Sequence, residues 1–128
     1  MNVLLDTCTF LWLIFGQREL SATAREVIAN RDNQAFLSVV SAWEIAVKYR
    51  LRKLRLDEQP QLFVPRYRNL HSIQSLELDE SSLLRESTLP NFHKDPFDRI
   101  LICQAIEHGL AILTPDPLIS QYPVRGVW

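Results

Sequence analysis

Short apolar runs that end at a polar or acidic residue and lead straight into a helical segment constrain this chain most: NVLLD before Thr7, AFLSVV before Ser41, and LAILTPD before Pro117. Runs of this length read as buried strands, and a helix after a strand is the crossover that parallel pairing requires. Residues 2–5 are expected as the first strand, followed by Asp6, Thr7 and a helix carrying FLWLIF that Gly16 stops. Ser21 caps a second helix through about residue 30, and residues 35–40 are β-branched and aromatic enough for a second buried strand. Ser41 then starts the helix SAWEIAVKYRLRKL. Pro60 opens a further helix that the interior Pro65 predicts to be broken or in two pieces.

Residues 72–78 alternate imperfectly, and Asp79 with Leu83 and Leu84 marks another passage from strand to helix. Asp95 and Pro96 form a cap and first-turn pair for PFDRILICQAIEH, which Gly109 ends. LAILT follows as a buried strand, Asp116 precedes a short helix, and VRGVW reads as an edge strand. The alternation predicts an α/β sandwich around a mainly parallel sheet, built as one domain over residues 1–128.

Composition narrows the function. With 47% hydrophobic and 23% charged residues the chain reads as an ordinary globular protein rather than a disordered or fibrous one. Lys and Arg number 14 against 15 Asp and Glu, a formal net charge of -1, so any nucleic acid must be met by a local basic patch. Cys8 and Cys103 lie far apart and belong to no C-x-x-C pattern, so neither a disulfide framework nor a zinc knuckle is indicated, which fits a reducing cytoplasm. The apolar opening MNVLLDTCTFLWLIFG lacks a basic n-region and an A-x-A site and carries Asp6 within it, so a core strand and helix are expected rather than a signal peptide. No run approaches the roughly 18 apolar residues that would span a membrane.

The chemistry lies in four scattered acids: Asp6, Glu44, Asp98 and Asp116. Each has an ordinary explanation. Asp6, Asp95 and Asp116 can be helix N-caps, Ser41-x-x-Glu44 matches a capping box with Lys48 as an i+4 partner, and Asp98 suits a helix first turn. Their joint placement argues otherwise, because the ends of parallel strands and the first turns of the following helices gather at one edge of an open sheet. Asp98 is the most informative, since Leu101, Ile102 and Ala105 follow it at i+3, i+4 and i+7 and put the carboxylate on an apolar face. Two carboxylates about 4 Å apart repel by roughly 4 kcal/mol at an effective dielectric of about 20, which a cation between them relieves. An all-oxygen donor set favours Mg²⁺ or Mn²⁺ over zinc. Carboxylates that hold such ions can activate water for in-line attack on a phosphodiester, so hydrolysis of nucleic acid is the matching chemistry. Thr7 can add a hydroxyl to that site, or serve as a turn residue.

At these residues the chain resembles a known family. LLDTCTFLWL, SVVSAWEIAVKYRLRKL, HKDPFDRILICQA and LAILTPDPLISQYPV look like the PIN-domain nucleases, in particular the VapC toxins of bacterial toxin–antitoxin systems, over nearly the whole length. The resemblance implies a three-layer α/β/α sandwich and Mg²⁺-dependent endoribonuclease activity on structured cellular RNA. It further implies a homodimer and inhibition by a cognate VapB-type antitoxin. The family's acids fall on Asp6 after the first strand, Glu44 in the WEI segment, Asp98 in DPFDR and Asp116 in T-x-D, with Asp95 as an accessory. Cys8 stands where relatives often carry histidine and Pro115 where a basic residue is common; neither change removes one of the four acids.

Lys48, Arg50, Arg52, Lys53 and Arg55 form the densest basic stretch and can track a phosphate backbone, or simply line a solvated helix face. His93, Lys94 and Arg99 flank the acidic turn as further RNA contacts, with an Asp95–Arg99 pair at i+4 as the alternative use of Arg99. Two other functional classes compete with the nuclease. A receiver-like signalling module would also gather acids around Mg²⁺, but it calls for an acidic pair after the first strand, where Leu5-Asp6-Thr7 supplies one acid. A catalytically inactive interaction domain would use all four acids as caps, and predicts that they do not converge.

Overall fold

A computed structural model describes residues 1–128. The chain runs β1 (Asn2–Leu5), α1 (Thr7–Phe15), α2 (Ala22–Ala29), β2 (Gln34–Ser38), α3 (Val39–Arg50), α4 (Pro60–Leu70), β3 (Gln74–Leu76), α5 (Glu80–Glu86), α6 (Pro96–His108), β4 (Ala111–Leu113) and β5 (Gly126–Val127). A 3-10 turn over Pro117–Gln121 precedes β5. The strands form one sheet in the order β3-β2-β1-β4-β5, and every pairing is parallel.

The side-chain period of two divides the apolar strand residues between two cores. Val3, Leu5, Leu37 and Leu113 face Phe10 of α1, Ala24 of α2 and Phe63 of α4. Leu4 and Ile112 point the other way, into a second core with Leu101, Ile102 and Ala105 of α6. Helices on both faces explain why β4 is buried at all three positions, as strands of parallel sheets are. The expected α/β sandwich with a mainly parallel sheet is what the chain forms. No helix is long and apolar enough to cross a membrane.

Three local expectations are corrected. The second strand ends at Ser38 rather than residue 40, and Ser38 caps α3 by accepting from the Val40 amide at 3.0 Å. Val40 turns helical despite its β-branching because it is buried in the α6-side core, a case of tertiary packing overriding propensity. Ser41 therefore lies inside the helix, and its capping box with Glu44 does not form. Helix α3 also stops at Arg50, short of residue 54, with Arg52 in the left-handed region at φ 59°. Helix α4 runs unbroken across Pro65. Phe63 and Val64 anchor it in the core, and the carbonyl that Pro65 leaves without a partner belongs to exposed Gln61.

Chain order reverses between β1 and β4, the neighbours at the centre of the sheet. Loops leaving the carboxyl ends of strands at such a reversal diverge and leave a crevice.

Candidate metal and active site

Asp6 leaves β1 at that crevice. Its amide donates to the Leu113 carbonyl at 3.2 Å, which carries the β1–β4 pairing one residue further and fixes the acid at the sheet edge. It occupies the cap position of α1, yet its side chain caps nothing there. The carboxylate instead accepts from Thr114 Oγ1 at 2.7 Å. Thr114 Oγ1 in turn accepts from the Asp116 amide at 3.1 Å, so one hydroxyl joins the two acids that follow the two central strands.

Asp116 does cap its 3-10 turn, through Oδ1 to the Leu118 amide at 2.9 Å, while Oδ2 lies 2.7 Å from His93 Nε2. At the start of α6, Asp95 Oδ1 accepts from the amides of Phe97 at 2.8 Å and Asp98 at 3.2 Å. Asp98 carries no capping duty, and its Oδ2 is 3.3 Å from His93 Nε2. Glu44 comes from the second turn of α3. Asp6, Glu44, Asp95, Asp98 and Asp116 all line one cavity of about 340 Å³, with Lys48 at its wall.

The electrostatics of this cavity are those of excess negative charge. Burial, reinforced by Asp6 and Asp95, pushes the Asp98 carboxyl up to about 7. Burial also raises Asp6, with Glu44 adding to the effect and the Thr114 hydrogen bond opposing it. Burial works to lower Lys48, but its hydrogen bond and charge pairing with Glu44 overcome this and leave the ammonium raised. Burial, then the charge of Asp6, pushes the Cys8 thiol up to about 12, so it contributes no thiolate.

Glu44 gives the test of fit for a cation. Its side chain is 6% exposed and Oε2 is paired with Lys48, yet Oε1 is buried with no hydrogen-bond partner. An unpartnered buried acceptor costs about 1–3 kcal/mol, more when charged, so it calls for a positive ligand. Hard oxygen donors from Glu44, Asp6, Asp98 and Asp116 suit Mg²⁺ or Mn²⁺. One set of potential ligand atoms, on His93, Asp98 and Asp116, lies within 4.8 Å of one another.

The structure thus brings the four acids and Asp95 together, which the interaction-domain alternative did not predict. Thr7 borders the same cavity, but its hydroxyl donates to Ser41 Oγ at 2.8 Å and ties α1 to α3. Of the basic residues, Lys48 faces the acids, whereas Arg50, Arg52, Lys53 and Lys94 are exposed. Arg99 departs from its expected role. It is turned inward, 7% exposed, where it pairs with Glu86 and donates to the carbonyls of Glu86, Leu89, Pro90 and His93. An i+4 pair with Asp95 does not form, because the turn preceding α6 presents these carbonyls and Glu86 to the guanidinium instead. Thr114 escaped the sequence reading, although a threonine two residues before an acid at a strand end was its available signal. Ser38 escaped as well; its hydroxyl donates to buried Gln104 at 2.6 Å, a contact 66 residues away that no local pattern announces.

A family model described as PIN domain matches residues 3–124. Among solved structures, the chain is similar to VapBC2 from Rickettsia felis bound to a promoter DNA fragment, at 13% identity over 99% of this chain and 98% of that one, with a TM-score of 0.73. It is also similar to a toxin–antitoxin complex from Klebsiella pneumoniae, at 21% identity, 98% and 96% coverage and a TM-score of 0.66. FitAcB from Neisseria gonorrhoeae aligns at 14% identity, 98% and 96% coverage and a TM-score of 0.67. At such identities these likenesses are of fold. No curated protein matches the chain.

Proposed function

The chain belongs to the PIN-domain family, and from that premise we propose that it is a Mg²⁺- or Mn²⁺-dependent endoribonuclease that cuts structured RNA. The observation that carries the reading is Glu44 Oε1, a buried carboxylate oxygen without a partner in a cavity lined by four further acids. Asp6, Glu44, Asp98 and Asp116 would hold the ion, with Asp95 as an accessory whose Oδ1 is already committed to the α6 cap. When bound, a divalent ion supplies the positive charge that polarises water and offsets charge on the phosphodiester.

The chain's own groups prepare that chemistry. Thr114 orients Asp6 and positions the Asp116 backbone. Lys48 neutralises one oxygen of Glu44 and leaves the other free. Leu11, Ile45 and Leu54 give the cavity its apolar side. Lys48, Arg50, Arg52, Lys53 and Lys94 supply local positive charge for the RNA backbone, in a chain whose net charge of -1 offers no global attraction.

The similarity in fold to toxins solved with antitoxins supports a role as the toxin of a toxin–antitoxin pair, a homodimer in the cytoplasm held inactive by a VapB-type partner. The test incubates purified protein with labelled structured RNA, with and without Mg²⁺, beside Asp6→Asn and Asp98→Asn. Cleavage requires Mg²⁺ and falls more than about a hundredfold in both variants, the scale on which single electrostatic groups act in catalysis. Equal cutting by wild type and variants, or cutting only after divalent ions are removed, overturns the reading. Co-expression with the product of an adjacent antitoxin-sized reading frame should abolish cleavage.

A further inference from the structure

His93, Asp98 and Asp116 present three potential ligand atoms so close together that histidine invites assignment as a metal ligand. The other ring nitrogen argues against it. The Asp95 amide lies 3.2 Å from His93 Nδ1, and an amide N–H can only donate. Nδ1 must therefore present its lone pair, which places the ring proton on Nε2. That proton bonds Asp116 Oδ2, 2.7 Å from Nε2, while Asp98 Oδ2 lies 3.3 Å from the same nitrogen without a hydrogen bond. Ligation by Nε2 would require the proton to move to Nδ1, directly against the Asp95 N–H.

Resting on the metal-site reading above, we propose that His93 is a positioning residue: its Nε2–H holds the Asp116 carboxylate beside Asp98, and the ion's own ligands remain oxygens.

The surroundings of His93 are built for aiming a ring. Its amide donates to Tyr122 Oη at 2.8 Å, and that hydroxyl donates to the Pro90 carbonyl at 2.7 Å. Its carbonyl accepts from Arg99 Nη1 at 3.0 Å, and Arg99 also holds the carbonyls of Glu86, Leu89 and Pro90. A buried guanidinium and a buried tyrosine thus fix the loop on both sides of one histidine that is 8% exposed. Asp116 ends with each oxygen holding one donor, Leu118 N on Oδ1 and His93 on Oδ2, which fixes the carboxylate plane while further lone pairs remain for an ion. Excluding imidazole nitrogen keeps the site all-oxygen and biased to Mg²⁺ and Mn²⁺ over zinc and nickel.

The probe is Mn²⁺ alone, titrated into wild type, His93→Ala and His93→Gln and followed by electron paramagnetic resonance. His93→Ala should bind Mn²⁺ about 10- to 100-fold more weakly, the usual consequence of losing a group that orients a ligand. His93→Gln should recover most of that loss, because its amide nitrogen takes the place of Nε2–H. Nitrogen-15 spectra of wild-type protein decide the matter even where a variant fails to fold: the Nε2–H tautomer should persist without metal and with Mg²⁺. An Nδ1–H tautomer, a metal-shifted Nε2, Mn²⁺ binding by His93→Ala equal to wild type, or a glutamine variant no better than alanine each overturns the inference while leaving the metal site standing. Failure of wild type to bind Mn²⁺ overturns the metal site itself and this inference with it.

Discussion

Thr114 and Asp6, 108 residues apart in sequence, meet at the carboxyl edge of the sheet, where the threonine hydroxyl donates to Asp6 Oδ2 at 2.7 Å. The contact exists because β1 and β4 are parallel neighbours in register, Leu5 beside Leu113, so the residue after each strand stands next to the other. It is also the interaction that opposes the rise of the Asp6 carboxyl caused by burial. Thr114→Val keeps the shape and removes the donor. It should cost about 1 kcal/mol or somewhat more in chemical denaturation, since a partly buried carboxylate oxygen loses its partner, and should move the acid limb of RNA cleavage to higher pH. Unchanged stability and an unchanged pH profile would show that the contact has no energetic role.

Asp98 makes metal-free stability depend on pH with a definite sign. Its folded-state carboxyl is raised to about 7 from 3.8, so the folded state binds more protons in that window. The stabilisation is fully present below about pH 4 and is lost as pH rises through about 7. Other groups held constant, chelator-treated protein should melt lower at pH 8 than at pH 5.5, and Asp98→Asn should remove much of the difference. Divalent ions should restore the melting temperature at pH 8 and release protons on binding near pH 7, measurable by calorimetry in buffers of different ionisation enthalpy. A flat melting profile in the absence of metal would contradict the burial of this group.

Arg99 is predicted to matter for folding rather than RNA affinity. Arg99→Met removes the donors of four backbone carbonyls and of Glu86, and at roughly 1 kcal/mol net per hydrogen bond the loss should be about 3–5 kcal/mol. Arg99→Lys should not recover it, because one ammonium cannot reproduce the planar fork. Urea unfolding of the two variants measures both effects. A variant that keeps full stability but binds RNA more weakly would return Arg99 to the substrate surface.

The basic stretch makes the opposite prediction. Replacing Arg50, Arg52 and Lys53 together with alanine leaves the core intact, as all three sit at or beyond the exposed end of α3. If all three contact phosphates, the slope of RNA affinity against log salt should fall by roughly two to three. Binding measured between low and moderate salt checks this, and an unchanged slope assigns the stretch to a solvated face.

Local signals read directly from sequence held where the physics is local. Asp95 caps α6 with Pro96 in its first turn, Gly109 closes the helix at φ 65°, and Ser21 caps α2, because each depends on residues within one turn. The readings failed where distant packing decided. Ser38 rather than Ser41 begins α3 because Gln104 and the α6-side core receive that turn. Arg99 faces inward because the carbonyls of Glu86, Leu89, Pro90 and His93, 6 to 13 residues away, converge on it.

By itself the sequence determined the strand-and-helix alternation, hence a parallel sheet, and put acids at strand ends and helix starts, since these follow from periodicity and capping chemistry. Only the tertiary structure decided that five acids share one cavity, that Glu44 Oε1 is left without a partner, and that His93 reaches two carboxylates. The reason is physical: burial and neighbouring charge are properties of space, and groups more than 100 residues apart become neighbours only when strands pair.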